Sequence, residues 1–263
     1  MAEAILLRED RGHVAILTLN RPAALNALSE AMLCALLAEL GALAADPTIR
    51  VVILRGAGKA FCAGHDLKEM QASRAAPDKG AAAFAALFAL CAKVMLAITR
   101  LPQPVIAQVH GIATAAGCQL VASCDMAVAA EGTRFGVNGV NIGLFCSTPM
   151  VALSRNLPRK QAFEMLVTGA FIAAERAAAV GLINRVVPAD ALEAETMALA
   201  HSVAAKLSAA VKIGKRAFHD QIEMPVAQAY DHTAAVMAEN MLWRDTEEGI
   251  AAFLEKRSPD WPS

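Results

Sequence analysis

Val51-Val52-Ile53-Leu54-Arg55-Gly56-Ala57-Gly58-Lys59-Ala60-Phe61-Cys62-Ala63-Gly64-His65-Asp66-Leu67 runs from a continuous apolar segment through a turn of small residues to a polar helix opening. The apolar segment lacks in/out alternation, which predicts a strand covered on both faces. Val105-Ile106-Ala107-Gln108-Val109-His110-Gly111-Ile112-Ala113-Thr114-Ala115-Ala116-Gly117-Cys118-Gln119-Leu120 repeats the design. Small-residue turns let a ligand approach the main chain, and free N–H groups at a helix start attract an oxygen gaining negative charge. Two such groups aimed at one point form an oxyanion hole. The same glycines equally suit tight crossovers with no ligand.

Outward from these segments the pattern is regular. Ile5 to Leu7 and Val14 to Leu19 flank Glu9-Asp10-Arg11-Gly12 and read as a hairpin. A helix capped by Ser29 runs to Ala45 and stops at Asp46-Pro47. Another spans Gly80 to Thr99, and a small-residue helix spans Ala115 to Ser123 before a strand from Asp125 to Ala129. Alternating strands and helices predict an α/β layer fold with right-handed crossovers. Phe135 to Pro149 reads as irregular. Helices follow over Thr148–Leu157, Arg159–Thr168, Ala173–Ala179, Ala191–Leu207 (capped by Asp190), Ala209–Gln221, Met224–Arg244 and Glu247–Lys256, with one late strand from Asn184 to Val187.

Composition bounds the function. Of the 263 residues, 56% are hydrophobic and 19% charged, enough for a large core and too little charge for disorder. The net charge of -1 offers no global field for nucleic acid or an anionic membrane. The six cysteines form no CxxC pair and read as free thiols; no His/Cys cluster has metal-ligand spacing, so no metal is expected. The N-terminus has neither a basic n-region nor an Arg-rich presequence, which predicts a cytoplasmic protein. Gly80 to Ile98 is apolar except for Lys93, but its many alanines and charged flanks favour a buried helix over a membrane span.

The chain resembles the crotonase superfamily of enoyl-CoA hydratases and isomerases. AFCAGHDLKEM (Ala60 to Met70) is similar to that family's first oxyanion segment, and VHGIATAAGCQLVASCDMAVA (Val109 to Ala129) to its second. LNRPAALNAL (Leu19 to Leu28), TRFGVNGVNIGL (Thr133 to Leu144), LVTGAFIAAERAAAVGLINRVVP (Leu166 to Pro188) and EEGIAAFLEKRSP (Glu247 to Pro259) continue the resemblance in order. It implies a spiral of repeated β-β-α units over residues 1–200. A helical trimerisation region would follow over residues 201–263. It further implies a homotrimer or dimer of trimers that binds acyl-CoA thioesters, with coenzyme A as part of the substrate and no separate cofactor. The Ala- and Leu-rich C-terminal third points the same way, since a small appendage cannot bury that much apolar surface alone.

The resemblance places the oxyanion amides at His65 and Ala116. The family usually has a small residue at the first position; the imidazole of His65 either enters the acyl pocket or turns to solvent. The hydratase glutamates fall at Gln119 and Gly139. Two carboxylates suit hydration because each exchanges a proton and orients water. Gln119 orients water without accepting its proton, and Gly139 does neither. Crotonyl-CoA hydration is therefore expected to be negligible, and Gln119→Glu with Gly139→Glu to raise it. Ser147 occupies the place of an acid found in some relatives, and its neighbour Cys146 would need a lowered pKa to act as a nucleophile. Asp66 reads as a helix cap. Asn138 and Asn141 are either acyl-pocket polar groups or loop formers.

For coenzyme A the resemblance points to Ala23, Ala24 and Leu25, with Ala63, His65, Asp66 and Leu67 opposite. Phe253 and Lys256 would complete the site from another subunit. Lys59, Lys256 and Arg257 are either phosphate contacts or solvated charges. Two functions follow: a crotonase-type lyase or isomerase that stabilises a thioester enolate, or a non-catalytic acyl-CoA binder or sensor. A peptidase of related fold lacks an assembled Ser-His-Asp set.

Overall fold

The computed structural model describes residues 4–261. Strand β1 (Leu6–Arg11) turns through Gly12 into β2 (Val14–Leu19), and the two pair antiparallel as the hairpin reading expects. The Ser29 hydroxyl accepts from the Met32 N–H at 3.2 Å and starts α1 (Glu30–Ala44). Met32, Leu33, Leu36, Leu40 and Leu43 recur at helical spacing on its buried face. Then come β3 (Val51–Gly56), α2 (Leu67–Ser73) and α3 (Ala81–Arg100). Next are β4 (Val105–Val109), β5 (Ile112–Thr114), α4 (Ala116–Ser123), β6 (Met126–Ala130) and β7 (Arg134–Gly136). The chain continues through α5 (Ser147–Asn156), α6 (Arg159–Thr168), β8 (Ile172–Ala173), α7 (Ala174–Ala179) and β9 (Arg185–Val187). Helices α8 (Leu192–Ala204), α9 (Ser208–Gln221), α10 (Val226–Met241) and α11 (Arg244–Glu255) end it.

The strands form two sheets. Six lie in the order β1-β2-β3-β4-β6-β9, parallel from β2 onward, and three in the order β5-β7-β8. Each turn of chain places a strand in the first sheet and the next in the second: β4 then β5, β6 then β7. Cys62 extends the second layer by a single parallel bridge to Ala113. This is the expected spiral of β-β-α units. The short strands β5, β7 and β8 were not expected. The stretch read as irregular from Phe135 begins inside β7, passes through a 3-10 helix (Asn138–Ile142) and enters α5. Asp190 does not cap α8 through its side chain; a 3-10 turn, Ala189–Ala191, leads into that helix instead.

The unbroken apolar strands have two covered faces, as their composition predicts. Ala15, Leu17, Val52, Leu54 and Ala107 face the main core with α1, α3 and α4. Val14, Ile16, Val51, Ile53 and Ile106 face a second core closed by Ala200 and Ala204 of α8. Each fully buried Val, Leu or Ile contributes roughly 1.5–3 kcal/mol by removing its side chain from water. Helix α3 is long and apolar enough to cross a membrane by length and composition. Only one face is buried, through Cys91, Val94, Met95 and Ile98.

A polar tie docks the helical C-terminal region. Lys215 Nζ donates to the carbonyls of Ile98 and Gln103 at 2.9 and 3.0 Å, and pairs with Asp125 at 2.6 Å. Asp125 also accepts from the Val105 N–H at 2.7 Å, and its other oxygen lies 3.1 Å from His219 Nε2. The ammonium thus has an acceptor for each of its protons, which is what permits its burial.

Candidate active site

The two small-residue turns meet. Asn26 prepares the first by donating to the carbonyls of Ala57 and Ala60 at 2.8 Å each while accepting from the Arg21 N–H at 2.9 Å. Arg21 reaches across to the Ala27 carbonyl at 2.9 Å and the Asp66 carboxylate at 3.0 Å. The Ala63 N–H donates to the Leu25 carbonyl at 3.0 Å. Leu28 then makes a parallel bridge to His65: its N–H goes to the Gly64 carbonyl at 2.7 Å, and its carbonyl accepts from the Asp66 N–H at 3.4 Å. In such a bridge the N–H of the middle residue points the other way. The His65 N–H therefore turns away from Leu28, and no acceptor among the described residues takes it.

The second turn supplies the companion amide. Ala115 sits at φ 50° and ψ -120°, a conformation an L-residue holds only under constraint, and its N–H is fixed on the Gly136 carbonyl at 2.9 Å. This bend starts α4 at Ala116, whose N–H is one of the unpaired donors of a first helical turn. Gly64 makes the approach possible. With φ +92°, a β-carbon there would stand 2.9 Å from Ala115 Cβ and 3.4 Å from the Ala116 nitrogen. Gly117 likewise leaves space that the Cys62 carbonyl fills. The sequence reading named the two amides; the separating role of Gly64 and the strain at Ala115 were not read from it.

The cap reading of Asp66 holds, and several alternatives left open by the sequence are decided. Asp66 is the α2 cap, accepting from the N–H groups of Lys68 and Glu69 at 3.1 and 3.4 Å. The carboxylate is partly desolvated, but Arg21 and those N–H groups outweigh this and hold its pKa below the usual range. Burial pushes the Cys146 thiol up, which opposes a nucleophilic role. Among the described residues Ser147 Oγ has only the Phe145 carbonyl, at 3.5 Å, and no base. Asn138 accepts from the Thr114 hydroxyl at 2.7 Å, so it braces the second small-residue turn. The Asn141 amide lies against Gly169 at the end of α6. Arg257 is held by Glu248 and Glu255, which removes it as a free phosphate contact.

The glutamate positions differ in kind. Gln119 is buried on α4, with Oε1 4.0 Å from the Cys91 sulfur of α3. Gly139 is buried in the 3-10 helix, where the Leu144 carbonyl and Cys146 Sγ occupy the space of a β-carbon. The obstacle is neighbouring atoms, not a positive φ. His65 turns its ring inward. Nδ1 lies 3.4 Å from the Leu28 carbonyl, and the ring meets Phe88 edge-on at 5.5 Å between centroids. Burial lowers its pKa, so the ring is neutral near pH 7.

Of the residues expected to meet coenzyme A, Ala23 is exposed and Ala24 and Leu25 are half-buried in and beside a 3-10 turn. Ala63 is half-buried, and Leu67 is 54% exposed at the start of α2. Phe253 is not brought to these loops within one chain. It lines a hollow of about 600 Å³ with Leu207, Val211 and Ile250, and Lys256 caps the same helix. Among the described residues no group of three or more His, Cys, Asp or Glu is placed to hold a metal ion.

Two paired strand-turn-helix units on a β-β-α spiral, each offering a free amide, define the class to which known proteins point. The sequence pattern of the enoyl-CoA hydratase/isomerase family matches residues 9–263. The chain belongs to that family, the crotonase superfamily. It is 45% identical over 245 residues to human "Enoyl-CoA hydratase domain-containing protein 3, mitochondrial", covering 93% of this chain and 79% of the human one. The Xenopus laevis protein of the same name is 44% identical, covering 97% and 85%. A solved enoyl-CoA hydratase from Mycobacterium smegmatis superposes with a TM-score of 0.95 at 57% identity, covering 98% and 99%. The cytoplasmic location expected from the N-terminus is overturned, because the human and Xenopus relatives are named mitochondrial.

Proposed function

We propose that this protein binds acyl-CoA thioesters and stabilises the enolate of the thioester, while lacking the carboxylate pair that hydrates enoyl groups. The observation that carries this reading is the pair of unpaired amides at His65 and Ala116, brought together across Gly64. Such donors need no reorganisation as charge develops on the carbonyl oxygen, which is why they favour an enolate. The pantetheine and adenine would lie between Ala23, Ala24 and Leu25 on one side and Ala63, Asp66 and Leu67 on the other. Phe253 and Lys256 would reach the site from a second protomer of a trimer or of a dimer of trimers. Exposed Phe253 and Leu254, at 81% and 74%, support association through this region. No metal or redox cofactor enters this reading, and Lys59 and Lys256 remain as cations for the phosphates.

A non-catalytic acyl-CoA binder is the second reading. It is favoured by Gln119 and by the filled space beside Gly139, which leave no carboxylate at either mapped position. Calorimetry with acetyl-CoA and crotonyl-CoA tests binding. Deuterium exchange at the thioester α-carbon separates the two readings, since a catalyst that forms the enolate exchanges this proton and a binder does not. Hydration of crotonyl-CoA should stay far below the roughly 10 s⁻¹ typical of enzymes. Turnover at that rate, or no binding by well-folded protein at millimolar ligand, would refute the reading.

A further inference from the structure

A hollow of about 540 Å³ lies away from the two small-residue turns. Its wall runs from the end of α3, through Leu101 and Pro102, to α9 and the end of α10. Pro102 precedes β4, whereas the second turn follows the other end of that strand at Val109. The strand between them spans about 13 Å. Six charged or aromatic side chains line the hollow. Arg100 ends α3, Lys212 and Arg216 sit four residues apart on α9, and Asp220 follows four residues later. Glu239 of α10 and the half-buried Trp243 complete the set. None of these six side chains has a hydrogen-bond or ion-pair partner among the described residues. Elsewhere Arg8, Arg11, Arg21, Arg55, Arg155 and Arg257 are held by carboxylates. Lys215 and His219 also line the hollow, but Asp125 engages both, so they add no unpaired charge.

We propose that this hollow binds a nucleoside phosphate, at a site separate from the one assigned to acyl-CoA. Arginine and lysine on successive helical turns suit a phosphate, which accepts several charge-assisted hydrogen bonds at once. Four residues of helix rise about 6 Å. A phosphate between Lys212 and Arg216 therefore puts the ribose near Asp220, whose carboxylate can accept from a sugar hydroxyl. The indole of Trp243 offers a flat face to the base. The volume fits, since small-molecule sites run from about 300 to 1,000 Å³. An inorganic anion would use the cations alone and leave the carboxylates facing it; a nucleoside phosphate uses both.

The chain has two tryptophans, so Trp261→Phe leaves Trp243 as the only fluorescent reporter in the full-length protein. Titration with ADP should quench it saturably below millimolar concentration. Adenosine, which lacks the phosphates, should bind at least about tenfold more weakly. Lys212→Gln with Arg216→Gln in the same background should weaken ADP by at least about tenfold. Circular dichroism checks that this variant is folded, and its affinity for acetyl-CoA by calorimetry should be unchanged. No saturable quenching at millimolar ADP, or equal binding of adenosine, overturns the proposal. So does ADP binding that survives in the folded double variant, which would put the nucleotide elsewhere. Parallel loss of ADP and acetyl-CoA would mean one shared site and overturn the separation. A protein that binds ADP but no CoA thioester keeps this site and loses the acyl-CoA reading instead.

Discussion

The carbonyl of Leu144 stands where a β-carbon on Gly139 would be, with Cys146 Sγ 2.8 Å from the same point. The Leu144 N–H in turn donates to the Gly139 carbonyl at 2.9 Å, which closes the loop on itself. The expectation that Gly139→Glu helps to restore hydration is therefore corrected: the side chain does not fit. Even Gly139→Ala should destabilise by about 1–3 kcal/mol, the range for overpacking a filled site. At roughly 2–4 °C per kcal/mol, the melting temperature should fall by a few degrees. Gly139→Glu should fall further and gain no crotonyl-CoA hydration, whereas Gln119→Glu, a near-isosteric change, should fold. Thermal scans and a hydration assay check all three.

That obstacle was out of reach of the sequence for a physical reason. Leu144 is an unremarkable apolar residue, and only the loop geometry turns its carbonyl toward Gly139. The two small-residue turns were legible because apolar strand runs followed by small residues write their backbone requirements into composition. The placement of His65 was half legible: the residue stood out, but its ring meets Phe88 of α3, a contact that needs the helix already in place. Strands β5, β7 and β8 have two or three residues each, too few for any period to register. Asp66 was legible as a cap because capping is local. Its pairing with Arg21 depends on the fold of the loop between Arg21 and Asn26.

Thiol chemistry should single out Cys34. It is the exposed cysteine, whereas Cys62, Cys91, Cys118 and Cys146 are buried. Burial raises the thiols of Cys62, Cys91 and Cys118 to about 12 and pushes Cys124 and Cys146 up as well. Thiolate is the reactive species, so these five should resist alkylation. Brief iodoacetamide treatment at neutral pH should give one adduct by intact-protein mass spectrometry, mapped to Cys34. Rapid labelling of Cys146 would revive it as a nucleophile.

Asp66 should give the fold an acid-side dependence. Its pKa is lowered in the folded state despite partial desolvation, because Arg21 and the N–H groups of Glu69 and Lys68 favour the carboxylate. A carboxylate lowered on folding contributes stability that is fully present above its unfolded pKa of about 3.9 and is lost as pH falls through the folded value. Asp66→Asn keeps a capping oxygen and removes the charge. The stability gap between wild type and variant, read from urea melts, should be constant from pH 7 to about 5 and shrink below about 4. A gap that does not change with pH would mean the carboxylate's charge contributes nothing.

The sharpest test of the site is Gly64→Ala, because it touches geometry and leaves every donor in place. At φ +92° an added methyl is strained in itself, and it would press on Ala115 Cβ at 2.9 Å while crowding the Ala116 nitrogen at 3.4 Å. Ala115 has little room to yield, since its own backbone is held at φ 50° by the bond to Gly136. The strain should open the gap between the two segments, so that one carbonyl oxygen no longer meets both amides. Loss of one oxyanion donor costs about 10²–10³-fold in rate in enzymes of known mechanism. Exchange of the thioester α-proton should fall by a similar factor if the protein is a catalyst. If it is only a binder, acyl-CoA affinity should fall while affinity for free CoA, which lacks the carbonyl, stays near wild type. Circular dichroism and thermal melting must show a folded variant. A folded Gly64→Ala protein with wild-type acyl-CoA affinity and exchange would mean that the amides of His65 and Ala116 do not share a ligand.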